Sequence, residues 1–127
     1  MDGTAAEPRL NQATYQLALC MQEQAERVQA RAEHLGRAKP PADAQELTAA
    51  QGAARSAWMD AAGWWDTYIQ SYPGTAYALH GQVLYARARQ ALGERDRALA
   101  LIQDEPAGMS PQQKRARACL VQSLKAP

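Results

Sequence analysis

The chain has 127 residues, of which 28 are alanine and 14 glutamine; arginine outnumbers lysine 11 to 3, and there is no phenylalanine. With 46% of residues hydrophobic and only 6% aromatic, small side chains carry most of the apolar content, which excludes a β-sandwich or barrel built on β-branched and aromatic residues. Three Trp and five Tyr exclude a disordered chain, and a formal charge of +1 argues against a dedicated nucleic-acid or membrane-surface protein. No run approaches the roughly 18 apolar residues of a membrane span.

The charge is unevenly spread. Residues 1–75 carry six basic and nine acidic side chains, while 76–127 carry eight and four. Such a split suits a polar contact surface or a head-to-tail partner, or simply two solvated halves. Residues 1–9 are acidic and polar, lack the basic and apolar regions of a signal peptide, and read as a flexible segment.

The first helix is expected over residues 10–35. Leu10 and Leu17, then Thr14, Met21, Val28 and Leu35, then Ala18, Ala25 and Ala32 each recur every seven residues. The second row and the alanines form the best seam, because alanines let another helix approach closely. Gln22, Glu23, Glu26, Gln29 and Glu33 are assigned to the solvent face, and Gly36 to the C′ stop. The Pro40-Pro41 pair marks a stiff linker. A second helix starts at Asp43, with Glu46 three residues on as a capping box. Its stripe runs through Ala50, Ala54, Trp58, Ala61, Trp65, Tyr68 and Tyr72, and Pro73-Gly74 stops it. A third helix opens at Thr75 and closes at Gly93, and Gly81 within it reads as a place of close helix approach. A short fourth helix covers about 95–103. A fifth is signalled by Ser110 as cap, Pro111 at the first position and Gln113 completing the box. The chain is therefore read as one all-α domain over 10–127. It has a long hairpin (10–72), a short hairpin (75–104) and a terminal helix (110–125).

The chemistry-bearing residues form no catalytic pattern. His34 and His80 lie in no motif, and Cys20 and Cys119, 99 positions apart, form no metal or redox motif. Apolar neighbours on either side suggest that both thiols are buried and free, although spacing does not fix their pairing. No glycine loop that cradles phosphate is present. No cofactor and no metal site is expected, and the chain is not read as an enzyme.

The stretch from Ala61 to Ile102 resembles tetratricopeptide repeats. Ala61, Trp65 and Pro73 fall at the spacing of the second helix of such a repeat, and Ala98 and Ile102 repeat the first two of those positions. The segment from Trp65 to Ala78 looks like the repeats of bacterial envelope and assembly-factor proteins. The two alanines are 37 residues apart, against a repeat of about 34, and the proline expected after Ala98 comes one late at Pro111. The resemblance implies a stack of antiparallel helix hairpins, about five helices of an α-solenoid, acting as a protein-interaction module or scaffold without catalysis. The expected address is the cytoplasm for a complete chain, or the envelope or periplasm for a segment of a longer one.

Docking of a partner helix or peptide is expected on the first, third and fifth helices. Trp64, Tyr77 and Tyr85 would serve as apolar anchors, because Trp and Tyr are enriched in interface hot spots. Arg87, Arg89 and Arg117 would serve as charge clamps for an acidic ligand. The alternatives are a homodimer paired through the alanine seam of the first helix and, less favoured, a basic-face nucleic-acid binder.

Overall fold

The computed structural model describes residues 7–126. Among them the chain forms five helices and no strand: α1 (Glu7–Gly36), α2 (Ala44–Ser71), α3 (Ala76–Ala91), α4 (Arg95–Ile102) and α5 (Pro111–Lys125). Residues 1–6 of the expected flexible segment lie outside the described residues, and positions 7–9 are the first turn of α1. Among the described residues, no helix is long and apolar enough to cross a membrane.

Three helices start on side chains that satisfy free backbone N–H groups, and each was legible in sequence. Thr75 accepts from Ala78 N at the start of α3. Ser110 accepts from Gln113 N while the Gln113 side chain accepts from Ser110 N, a full capping box behind Pro111. Asp43 also caps α2, but it accepts from Gln45 N at 3.2 Å, so the expected box with Glu46 gives way to a one-sided cap. Gly74, Gly93 and Gly108 take positive φ in the turns after α2, α3 and α4. Gly36 does not; it is the last residue of α1 itself, and the helix ends with Arg37 N bonding back to Glu33 and His34.

Neighbours in sequence pack antiparallel, and alternate helices run parallel. Asn11, Gln22 and Gln29 of α1 meet Tyr68, Trp65 and Trp58 of α2, in descending order. Tyr15 and Glu26 meet Tyr77 and Arg87 of α3 in ascending order, and Gln90 of α3 meets Ser123 of α5. The helices α1, α3 and α5 thus follow one another in a row, with α2 packed on α1 and α3, and α4 on α3 and α5. Along this row α1 touches α3 and α3 touches α5, while α1 and α5 make no close backbone approach among the described residues.

Three apolar clusters hold the helices together. The largest joins α1, α2 and α3 through Tyr15, Trp58, Trp65, Tyr68 and Tyr85, with Ala18, Ala25, Ala61 and Ala88 at zero exposure between them. Alanine at these points lets the backbones approach while the aromatic rings fill the space between. Gly81 takes this furthest: a Cβ there would meet the Trp65 ring at 3.1 Å. The second cluster joins α3, α4 and α5 through Val83, Ala98, Ile102, Leu120 and Leu124. The third lies at the far end of the long hairpin and has only Ala32, Ala50 and Ala54 at its centre, edged by Val28 and Leu35.

The alanine seam of α1 is occupied here by α2 of the same chain. Two polar residues assigned to solvent also belong to this seam. Gln22 is 4% exposed and accepts from Trp65 Nε1 at 3.1 Å; Gln29, half-buried, accepts from Trp58 Nε1 at 3.3 Å. The physical reason is helical spacing. Gln22 lies four after Ala18 and three before Ala25, and Gln29 bears the same relation to Ala25 and Ala32, so both share the alanine face. Cys20 and Cys119 are free but exposed, not buried, because the apolar residues beside them in sequence point about 100° away.

Candidate partner-docking face

The six residues expected to meet a partner are distributed over four places. Tyr77 is 44% exposed near the start of α3, with its ring 4.7 Å from that of Tyr15 on α1. Between these two helices and the start of α5 lies an open groove of about 500 Å³. Its walls are Tyr15, Tyr77 and His80 on one side and Ser110, Gln112 and Ala116 on the other. Burial holds the His80 imidazole below its ordinary pKa and pushes the Tyr15 phenol above its own. The groove thus presents aromatic faces, a neutral imidazole at neutral pH, and carboxamide and hydroxyl groups.

Trp64 does not share this groove. It is exposed on the outside of α2 beside Met59, over a shallow depression that Asp60, Gly63 and Thr67 complete. Trp65, one residue on, is at zero exposure, as the 100° step between neighbours requires.

Tyr85 is buried at 7% exposure, which corrects its reading as an exposed anchor. It lies four after Gly81 and three before Ala88, on the packed face of α3. Its hydroxyl donates to Asp66 of α2 and accepts from Arg89 Nη2 at 2.9 Å.

The three arginines turn to three different neighbours and form no common clamp. Arg87 pairs with Glu26 of α1 at 3.1 Å and stacks its guanidinium 4.9 Å over the Trp58 ring. Arg89 is held between Tyr85 and Glu94, with an ion pair of 2.6 Å. These hydrogen bonds raise the Arg89 pKa, and those from Arg97 and Arg89 lower that of Glu94. Arg117 donates to the carbonyl of Gln103, at the end of α4, and its Nε is buried without a partner among the described residues. Only Arg87 shares the α1–α3 seam with Tyr77, ten residues and about 15 Å along the helix.

No protein-family model matches the chain, and neither does any curated protein or solved structure. Among the described residues, no three of His, Cys, Asp and Glu come together as a metal-holding group. The groove between α1, α3 and the start of α5 brings the exposed Tyr77 together with Tyr15 and His80. Sequence reasoning placed Tyr77 there and missed its floor, Tyr15 and His80. Tyr15 lies three before Ala18 and four after Asn11, a spacing that marks it as part of the packed edge of α1.

Proposed function

We propose that this chain is a non-enzymatic interaction module that docks a helix or extended peptide of a partner protein across α1, α3 and α5. The helix packing supports a tetratricopeptide-like reading. Hairpins stack so that alternate helices are parallel, Ala61 and Trp65 are fully buried at the repeat positions, and Pro73 follows α2. The observation that carries the docking site is Tyr77, left 44% exposed on the Tyr15 ring beside an open groove framed by three helices. A large aromatic anchor beside carboxamides suits a ligand with one apolar side chain and a backbone that needs hydrogen bonds.

Selection from a displayed peptide library tests this. Selected ligands should lose at least tenfold in affinity for Tyr77→Ala, as expected of a hot spot, and should keep their affinity for Trp64→Ala. Ligands that bind Tyr77→Ala as well as the parent chain, or a library that yields none, would count against it.

A further inference from the structure

The long hairpin outruns the helix that packs on it. α1 and α2 have 30 and 28 residues, about 45 and 42 Å, while α3 has 16 residues, about 24 Å. Where α3 stops, at Ala91, the hairpin continues, and the step leaves an open cleft of about 320 Å³. Gln29, Glu33 and Arg37 line it from one side, Gln51 and Arg55 from the other.

Most arginines elsewhere are engaged, and Arg95 and Arg115, which like Arg37 and Arg55 have no partner among the described residues, line none of the grooves and clefts described above. Arg27, Arg31, Arg87, Arg89 and Arg97 each pair with a carboxylate, and Arg117 with a carbonyl. The guanidiniums of Arg37 and Arg55 have no ion pair or hydrogen bond among the described residues, and both border the same cleft, Arg37 from the turn after α1 and Arg55 from α2. Gln29 offers its carboxamide N–H groups there, since its oxygen is engaged by Trp58. The carbonyl end of α3 beside the cleft is capped by the N–H groups of Leu92, Gly93 and Glu94, which reduces its repulsion of an anion.

We propose that this cleft is a docking site for an acidic side chain of a polypeptide partner, a Glu or Asp carboxylate received between Arg37 and Arg55. Two guanidiniums present planar forks that match a carboxylate. Glu33, also on the wall, leaves the cleft with one net positive charge, so a single carboxylate makes the filled site neutral. That balance favours a carboxylate over a polyanion, whose further charges would meet Glu33. The site is independent of the Tyr77 groove and lies at the opposite end of α3.

The probe is a capped 12-residue peptide with one central glutamate among uncharged residues, titrated into the whole chain at low salt and followed by backbone amide shifts. The expected result is shifts centred on residues 29–37 and 51–55. Affinity should fall about tenfold in the R37Q/R55Q double variant, with a weaker salt dependence. The R95Q/R115Q variant removes the same charge from arginines elsewhere and should bind as the parent does. Both substituted pairs are exposed, and the amide spectrum of each variant reports directly that it is folded. The proposal is overturned by equal losses in the two double variants, by equal binding of a peptide with Gln in place of the Glu, or by no shift at millimolar peptide. Tighter binding of an RNA oligonucleotide in the same cleft would overturn it as well.

Discussion

Gln22 is the most exacting place to test how the hairpin is held together. It is 4% exposed, and its oxygen is the acceptor for the indole N–H of Trp65, a residue at zero exposure. Gln22→Met keeps nearly the same length and volume and removes the acceptor, leaving a donor buried without a partner. That loss costs about 1–3 kcal/mol, offset in part by the greater hydrophobicity of Met, for an expected net loss of about 1–2 kcal/mol. At about 4 °C per kcal/mol for a domain of this size, the Tm should fall by about 4–8 °C. Gln29→Met makes the same change at a half-buried site with a longer bond of 3.3 Å. Water replaces the lost acceptor there, so the loss should stay near 0.5 kcal/mol. Urea denaturation followed by far-UV circular dichroism measures both, with the slope m unchanged if only stability has moved. In a Trp65→Phe background, which lacks the N–H, Gln22→Met should cost almost nothing. Equal losses for the two Gln variants, or a full Gln22→Met loss in the Trp65→Phe background, would refute the reasoning.

Three further outcomes are expected. Gly52→Ala and Gly63→Ala, where an added Cβ meets nothing within 4 Å, should each stabilise by up to about 1 kcal/mol through helix propensity. Gly81→Ala, 3.1 Å from the Trp65 ring, should instead destabilise by about 1–2 kcal/mol in the same urea titration; a gain there would show that the ring gives way freely. His80 has its pKa lowered by burial, so the unfolded chain binds the proton more readily. Its contribution to stability is full above the unfolded value near 6.5 and is lost as pH falls through the lower folded value, a slope that His80→Gln should flatten in pH-dependent melts. Both cysteines should react with a thiol reagent in the native state, and a thiol that reacts only after unfolding would contradict its exposure.

What the sequence disclosed was local. Thr75, Ser110 with Pro111, and Asp43 announce helix starts because a cap acts within three residues of itself. The alanine rows and Trp58, Trp65 and Tyr68 announce packed faces by spacing alone. Spacing alone puts Gln22 and Gln29 on the alanine face of α1 and Tyr85 on the packed face of α3, but a carboxamide by itself reads as a solvent group and a Tyr as an exposed contact anchor. Their partners, Trp65, Trp58 and Asp66, come from another helix and reverse that reading. The scattering of Arg87, Arg89 and Arg117, and the placing of Arg37 and Arg55 on one cleft, depend on how helices of different length are set against one another. No short-range pattern encodes that offset.

The alanine-only centre at the far end of the long hairpin has a dynamic consequence. Aromatic anchoring of this hairpin ends at Trp58, and beyond it Ala32, Ala50 and Ala54 hold two helices that α3 no longer covers. Backbone amides should exchange with solvent along a gradient, slowest around Trp65 and Ala18 and fastest toward the Pro40-Pro41 end, by opening of the tip without global unfolding. A ligand received between Arg37 and Arg55 would tie the two sides of that helical tip together, so its binding would register as slower exchange there and nowhere else.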